Sequence, residues 1–216
     1  ALTNIERHFD PHFQPSRCLD FGCGVGRLVI PMAKRFTHVV GVDISPSMLQ
    51  EAAKNCVQHG VENVEFVQSD DQLSKVIGKF GFIYSDIVFQ HISRARGEKI
   101  VARLIDLLED GGVAALSLPY SSNASPTTRS LRWAQKHVPL FHGVVNLTRR
   151  RRFDYPLMQS NIYQPERIFR LLEENGVREI FLRFNGHNSN VHDHLGMMVF
   201  AQKGARDTRQ TKSYGA

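Results

Sequence analysis

Between Arg17 and Pro119 the chain alternates short apolar runs with segments of helical periodicity. The apolar runs predict five strands, at 18–22, 38–44, 64–68, 80–86 and 111–119. Amphipathic spacing between them predicts helices over 25–35, 46–59 and 94–108. Ser45-Pro46 is a good helix start and Gly111-Gly112 a good stop. Strands that alternate with helices are typical of a parallel sheet with crossover helices, so the pattern predicts an α/β fold.

The last part of the chain adds one helix and two strands. Residues 164–184 predict a helix followed by a strand, and a polar loop then leads to a strand over 194–203, which indicates a hairpin with an antiparallel last strand. The intervening segment 120–163 is rich in Ser, Pro and Arg, and we interpret it as an inserted substrate lid. Residues 204–216 have the composition of a frayed polar tail. A chain of 216 residues is expected to form one domain over 1–216.

Composition is typical of a soluble globular protein. Hydrophobic residues make up 42% and charged residues 22%. No apolar stretch approaches the roughly 20 residues of a membrane span, so we expect no membrane partner. The first residues lack the order of a signal peptide. Cys18, Cys23 and Cys56 show no disulfide or zinc spacing and indicate a reducing compartment, so we expect a cytoplasmic protein. Nothing in the sequence indicates an oligomeric state.

The positive charge of the chain is concentrated in one segment. The formal net charge is +6, from 27 Lys and Arg against 21 Asp and Glu. Residues 129–152 contain seven of the basic residues and no acidic residue, whereas the rest of the chain is nearly neutral. A charge placed in this way indicates a local site or surface.

Three glycines stand where the first strand passes into a helix, in CLDFGCGVGRL, residues 18–28. Such a loop lets a ligand approach the backbone closely. A dinucleotide fingerprint requires glycine in the sixth position, where Arg27 stands, and a Walker A loop requires Gly-Lys-Ser/Thr, which is absent here. Neither a dinucleotide nor a nucleoside triphosphate is therefore favoured.

Five ordered segments resemble the class I S-adenosylmethionine-dependent methyltransferases: LDFGCGVG, VVGVDIS, VEFVQSDD, FIYSDIVFQHI and LEDGGVAALSLP. The resemblance covers residues 17–119, and 164–203 fits the same topology. It implies a Rossmann-like three-layer α/β sandwich with a seven-stranded, mostly parallel sheet of order 3-2-1-4-5-7-6, the last strand being antiparallel. It also implies methyl transfer from S-adenosylmethionine.

The same resemblance implies the residues that bind the methionine end of the cofactor. The backbone of Gly22, Cys23, Gly24 and Gly26 would lie under it. Asp20, just before the glycines, would hold the ammonium group, directly or through water.

Asp43, at the end of the second strand, would bind both ribose hydroxyls. The chemistry agrees, because a carboxylate is a bidentate acceptor for a vicinal diol and Asp43 lies at the spacing from the glycines that ribose recognition requires. An Asp at a strand end also commonly caps the next helix, which is the alternative interpretation. The other predicted cofactor residues are Ile44 and Met48 along the adenosine, Asp70 or Asp71 at the adenine amino group, and Ser85 beside the sulfonium.

Histidines are the candidate general bases. His91 follows the fourth strand and is a candidate because an imidazole in general titrates near neutral pH, although it would also fit as a packing residue under the helix 94–108. His187 and His192 lie in the loop NGHNSNVHDH at the carboxyl edge of the sheet, and His194 of the same loop would orient the acceptor. Loop histidines are mostly solvated, so we predict no metal site.

The acceptor is predicted to lie under the lid, against Tyr120, Arg149 and Arg152. The arginine run 149–152 would grip carboxylate, phosphate or nucleic acid, although four consecutive arginines are more often a solvated surface. The fourth strand is not followed by a DPPY-type motif or by a Pro-Cys pair, which disfavours base methylation by the amino-group and C5-pyrimidine mechanisms that use these motifs. We therefore predict methylation of an O or N atom of a small, preferably acidic metabolite. The alternatives are an RNA or protein methyltransferase that docks through the arginines and a non-catalytic S-adenosylmethionine-binding protein.

Overall fold

The secondary structure follows the predicted alternation of strands and helices. A computed structural model of the protein describes residues 1–122, 124–138, 140–148, 150, 152–153, 161–185 and 194–204. The strands are β1 (Arg17–Phe21), β2 (His38–Asp43), β3 (Val64–Gln68), β4 (Phe80–Ser85), β5 (Leu108–Ser122), β6 (Val177–Asn185) and β7 (His194–Lys203). The helices are α1 (Leu2–His8), α2 (Val29–Ala33), α3 (Pro46–Gln58), α4 (Arg94–Asp106), α5 (Pro126–His137), α6 (Phe141–Thr148) and α7 (Pro165–Glu174).

The strands form one sheet of order β3-β2-β1-β4-β5-β7-β6. β7 runs antiparallel to both β5 and β6, and the other paired strands are parallel. The predicted fold class and strand order are confirmed. Asp20 of β1 lies opposite Gly41 of β2 and Tyr84 of β4, so the carboxyl ends of these three strands meet at one edge of the sheet.

The sheet is buried on both faces, because successive side chains of a strand point to opposite sides. Cys18 packs with Phe82 in a cluster that includes residues of α1, α2 and α3. Its neighbour Leu19 packs with Ile83 in a second cluster that includes residues of α4 and α7. This arrangement gives the three layers that the resemblance implied.

Two predicted boundaries were wrong for identifiable reasons. The helix predicted over 25–35 is reduced to α2, because the chain turns through 22–28 with positive φ angles at its glycines. The pair Gly111-Gly112 does not stop a helix but lies inside β5, where the register with β4 shifts. β5 therefore begins at Leu108 and α4 ends at Asp106.

The segment interpreted as a lid begins with the end of β5 and contains α5 and α6. α5 starts at Pro126, and its N-cap Ser125 accepts a hydrogen bond from the backbone N–H of Thr128. None of the helices in the described part of the chain is both long and apolar enough to cross a membrane.

Tyr163, at the end of the lid segment, is fully buried between α4 and the single 3-10 turn Phe89–His91. Its hydroxyl donates to the carbonyl oxygen of Ile92 at 2.9 Å and lies 3.1 Å from that of Phe89. Gly97 of α4 faces it so closely that a Cβ there would lie 2.0 Å from the hydroxyl oxygen. The glycine therefore lets α4 approach this tyrosine.

Replacing Gly97 by Ala is expected to lower the free energy of unfolding by about 1–3 kcal/mol, because the new methyl group overpacks the Tyr163 site. Urea unfolding measures the change. The Tyr163→Phe background should reduce this cost, since the hydroxyl is the nearest obstacle. Helix propensity alone predicts the opposite sign, about 1 kcal/mol of stabilisation, so a stabilised Gly97→Ala protein would contradict the packing.

Candidate active site at the carboxyl edge of the sheet

The glycine-rich loop uses its first backbone N–H groups in hydrogen bonds within the protein. The N–H groups of Gly22 and Cys23 both donate to the carbonyl of Val42, at 2.7 and 3.0 Å, and that of Gly24 donates to the Asp43 carboxylate at 2.9 Å. The loop therefore offers close approach rather than a set of free donors. This suits a ligand that lies against the backbone better than a pyrophosphate, which needs several N–H groups.

Gly22 is required by both space and backbone conformation. Its φ is +77°, and a Cβ there would lie 2.3 Å from the nearest methyl group of Val88. Val88 follows the end of β4, so the loop and the chain that leaves β4 are in direct contact. A side chain at this glycine would separate the two walls of the site.

Asp43 connects the glycine loop to α3. One carboxylate oxygen accepts from the N–H of Gly24 and the other from the N–H of Ser45, each at 2.9 Å. The N-cap of α3 is Ser45, whose hydroxyl oxygen accepts from the N–H of Met48, so Asp43 is not the cap itself. Each carboxylate oxygen keeps a further lone pair, and the carboxylate is held in a fixed orientation.

A cavity of about 400 Å³ lies beside this loop. Gly22, Asp43, Ile44, Asp70 and Asp71 of the predicted cofactor residues, and His91 of the predicted bases, line it. The rest of the lining comes from 21, 42, 69, 87–88, 92, 96 and 100. The structure thus brings together groups from the ends of β1, β2, β3 and β4.

Asp20 is buried, with 3% of its surface exposed. Its pKa is raised to about 7, chiefly by burial, with Arg27 lowering it and the carboxylates of Asp86 and Asp43 adding to the rise. Within the described part of the chain, its side chain accepts no hydrogen bond. A cationic ligand group beside it would favour the ionised form.

Asp70 and Asp71 differ in what holds them. Asp70 accepts from the hydroxyl and the N–H of Ser74 at 2.5 and 2.9 Å, and these bonds lower its pKa. Asp71 forms a bidentate pair with Arg96 of α4, at 2.7 and 2.6 Å, and the hydrogen bonds from Arg96 lower its pKa. Both carboxylates face the cavity, so either remains the predicted adenine ligand.

The side chains of Cys23 and Ser85 do not line the cavity. Cys23 is buried in the core, 3.1 Å from where a Cβ on Gly41 would stand. Ser85 is fully buried and its hydroxyl donates to the carbonyl of Phe21 at 3.0 Å, which joins the ends of β4 and β1. Their side chains therefore hold the loop in place instead of contacting a ligand. Met48, which is partly exposed on α3, also lies outside the cavity lining.

His91 lines the cavity at the end of the 3-10 turn. The preceding carbonyl, that of Gln90, accepts from both the backbone N–H and the side-chain amide of Asn161, at 2.9 and 3.2 Å. Together with Tyr163, these bonds fix the turn to the end of the lid segment. Both interpretations of His91, as a base and as a packing residue, are compatible with its place in the cavity wall.

The other predicted acceptor residues are placed only in part. Arg149, His187 and His192 lie outside the described residues. Arg152 is exposed, and Tyr120 is half-buried with its ring centroid 5.7 Å from that of Phe184. The backbone of His194 begins β7 opposite Ser122, at the same edge of the sheet as the cavity. Among the described residues no cluster of side chains has the composition of a metal site.

Sequence reasoning missed three residues of this site. Arg96 pairs with Asp71 across the cavity rim, and its place on a charged helix face gave no signal. Ile87 has a φ of +61°, which is unusual for a β-branched residue, and lines the cavity where the chain leaves β4. Asn161 is close to the lid boundary, but its bonds to Gln90 span 71 positions and leave no local pattern.

Comparison with known proteins defines the class. A family model described as a methyltransferase domain matches residues 18–112. The magnesium protoporphyrin IX methyltransferase of Synechocystis, solved with bound SAH, has a TM-score of 0.64 and 20% identity, over 90% of this chain and 77% of that one. The predicted resemblance is confirmed at the level of the fold: the chain has the fold of the class I S-adenosylmethionine-dependent methyltransferases, and residues 18–112 match the methyltransferase-domain model.

Curated relatives in this class have different acceptors. The 23S rRNA (uracil(1939)-C(5))-methyltransferase RlmD of Klebsiella pneumoniae is 32% identical over 94 residues, which are 42% of this chain and 21% of the relative. The aklanonic acid methyltransferase DauC of Streptomyces is 30% identical over 114 residues, 48% of either chain. This chain therefore spans about a fifth of the first relative and about half of the second.

The buried carboxyl of Asp20 predicts a specific dependence of stability on pH. Its pKa rises from the ordinary 3.8 to about 7 on folding, so the folded state favours the protonated form. The contribution of this carboxyl group to the free energy of unfolding is fully present below about pH 4 and is lost as the pH rises to about 7. Relative to Asp20→Asn, the wild-type protein should therefore lose free energy of unfolding between these pH values. Urea unfolding of both proteins at several pH values measures this difference, and a difference that is constant with pH would contradict the shift.

Proposed function

We propose that this chain is a methyltransferase that transfers the methyl group of S-adenosylmethionine to an O or N atom of a small acidic metabolite. The observation that carries the proposal is the Asp43 carboxylate, which is held by two backbone N–H groups in the wall of a cavity that Gly22 of the glycine loop also lines. A carboxylate that can accept hydrogen bonds from a diol thus lies beside a glycine whose backbone a ligand can approach closely.

The residues present fit the two ends of this cofactor. Asp43 offers two oriented oxygens to the ribose hydroxyls, and the apolar side chain of Ile44 lies next to it in the same wall. Asp20 supplies a buried carboxylate for the ammonium group, which would stabilise its ionised form. The glycine loop keeps side chains out of the space between them.

S-adenosylmethionine supplies an electrophilic methyl group on a sulfonium. In the transfer an acceptor lone pair forms the new bond to the methyl carbon, the carbon–sulfur bond breaks, and its electron pair stays on sulfur. The chain has to align the acceptor, exclude water and take up the proton that an O–H or N–H acceptor loses. His91 is the proposed base, because it is the histidine in the cavity wall and its turn is fixed by Asn161 and Tyr163.

An acidic acceptor is favoured by the charge of the lid. Seven Lys and Arg residues and no acidic residue lie in 129–152. A carboxylate or phosphate would be attracted to this segment. The relationship to an enzyme named for aklanonic acid is consistent with an acid as substrate.

RNA is the second candidate acceptor, because RlmD and other relatives in the comparison are RNA methyltransferases. A covalent cysteine mechanism at a pyrimidine is not supported here. All three cysteines of the chain are buried, and burial raises the pKa of each thiol, so none is a reactive thiolate. An RNA acceptor would instead have to dock through the arginines and accept the methyl group on a base nitrogen or a ribose oxygen.

Calorimetric titration with S-adenosylmethionine, S-adenosylhomocysteine and NAD tests the cofactor assignment. The two sulfur compounds should bind and NAD should not, and Asp43→Ala should lose most of the affinity because the ribose then has no carboxylate. Asp10→Ala is the matched control, since that carboxylate also accepts a backbone N–H, from His12, in a surface turn away from the cavity. Thermal unfolding of both variants separates lost binding from lost folding. Binding of NAD, or full affinity in a folded Asp43→Ala protein, would contradict the proposal.

Replacing His91 by Gln is expected to lower methyl transfer by about a hundredfold or more while the cofactor affinity changes little, because only proton removal is affected. Labelled S-adenosylmethionine is incubated with a pool of small acidic metabolites and, separately, with total RNA. His59→Gln, at the exposed end of α3, is the control. Label in RNA alone favours the second candidate, and binding without transfer to either pool favours a non-catalytic protein. Unchanged transfer in His91→Gln would remove the base assignment.

A further inference from the structure

The two lid helices have an inverted polarity. Gln135 of α5 and Asn146 of α6 are buried, with 9% and 3% of their surface exposed, whereas no described apolar side chain of the two helices is buried. Leu131, Phe141 and Val145 are half-buried, and the other large apolar side chains lie outward, with Trp133 and Leu147 62% and 58% exposed. Helices packed on a globular protein normally bury the apolar residues and expose the polar ones.

Hydrogen bonds among the buried polar groups fix this orientation. The amide of Asn146 lies 3.1 Å from Nε2 of His142 and donates to the carbonyl of Phe153, also at 3.1 Å. The amide of Gln135 lies 3.5 Å from Nδ1 of the same histidine. The Gln135–His142 contact joins the two helices and the Asn146–Phe153 bond joins α6 to the residues after it, so rotating one helix alone would break such a bond and leave a polar group without its partner, which is costly. The outward apolar face is therefore a property of the lid itself.

The outward face forms a continuous set in the sequence. Its large exposed apolar residues are Trp133, Val138, Leu140, Val144, Leu147 and Phe153, and we call them the lid apolar surface. Six of the large exposed apolar residues of the described chain thus lie within 21 consecutive positions. An exposed apolar patch of this kind marks an interaction surface.

The sequence that carries the lid apolar surface is strongly basic, with Asp154 as the first acidic residue after it. From Gly111 to Phe153 the sequence has seven Lys and Arg residues and no Asp or Glu. Arg150 and Arg152, at the end of α6, are exposed. Exposed Trp, Leu and Phe beside Lys and Arg are characteristic of helices that lie in the interface of an anionic bilayer.

We propose that the lid apolar surface binds to the surface of a membrane containing anionic lipids. The apolar side chains would enter the boundary between headgroups and acyl chains, and the arginines would contact the lipid phosphates or carboxylates. A second copy of this chain fits less well, because two such faces would bring like charges together. Nucleic acid would satisfy the arginines but would leave the apolar side chains in water.

This inference changes the expectation drawn from the sequence, which was that the protein has no membrane partner. That expectation rested on the length of apolar stretches. Binding at a membrane surface needs only an apolar face on short helices, and the sequence does not reveal which way that face points. The inference is independent of the proposed methyl transfer, and its experiment does not require activity.

Trp133 provides a direct probe, because it is the single tryptophan of the chain. The protein is mixed with vesicles of phosphatidylcholine alone or of phosphatidylcholine with phosphatidylserine, and Trp133 emission and co-sedimentation are measured. We expect a blue shift and co-sedimentation with the anionic vesicles, both weakened by added salt. No binding to anionic vesicles, or equal binding to both kinds, would overturn the proposal.

The double variant Leu140→Ser/Leu147→Ser should weaken partitioning by at least about tenfold, because two inserted side chains are lost. The control is Val57→Ser/Ile77→Ser, which removes two exposed apolar side chains elsewhere on the protein. It should bind as the wild type does, and equal losses in both variants would overturn the proposal. Sedimentation and Trp133 emission of the protein without vesicles test the remaining alternative. A blue shift that increases with protein concentration would assign the lid apolar surface to contact with a second copy and would refute lipid binding.

Discussion

The Asp43 carboxylate is the point on which the site depends. Its two oxygens accept the N–H groups of Gly24 and Ser45, and so connect the glycine loop, the end of β2 and the start of α3. Without that carboxylate the loop would have an unpaired N–H, and the ribose would have no oriented acceptor. One side chain therefore performs a structural function and the proposed binding function, although the cap of α3 is Ser45 and not Asp43 as the alternative interpretation expected.

The opposite wall of the cavity depends on the lid segment. Asn161 and Tyr163 bind the carbonyls of the turn that carries His91, and Tyr163 in turn requires Gly97 on α4. A displacement of the segment that leads out of the lid would therefore move the proposed base and the first turn of α4, which includes Arg96. The structure thus joins the end of the segment 120–163 to the cavity wall that carries His91 and Arg96.

Polarity and charge give the lid two distinct faces. Its interior is polar and hydrogen bonded, and its exterior is apolar and adjoins a basic run. The same positive charge supports an acidic acceptor and an anionic lipid surface, and the two proposals are compatible because an acidic amphiphile could come from that surface. The relatives of the chain, with acceptors as different as rRNA and aklanonic acid, show that the shared domain does not determine the acceptor.

The sequence by itself determined the parallel sheet and the segments at its carboxyl edge, and the resemblance of five of those segments to a known family implied the strand order. Local patterns suffice for the sheet and its edge, because alternation of apolar runs and helices specifies a parallel sheet and the glycine and aspartate positions follow directly after strands. Gly22, Asp43, Asp70, Asp71 and His91 were placed at the cavity for this reason.

Only the tertiary structure decided which side chains face the ligand and which are used internally. Cys23 and Ser85 belong to predicted segments, yet the packing of β1 against its neighbours buries both side chains. The pairing of Arg96 with Asp71 and of Asn161 with Gln90 joins residues that are 25 and 71 positions apart. The direction of the lid apolar surface likewise depends on a buried polar network. Such contacts follow from the packing of whole elements, to which short-range sequence patterns are insensitive.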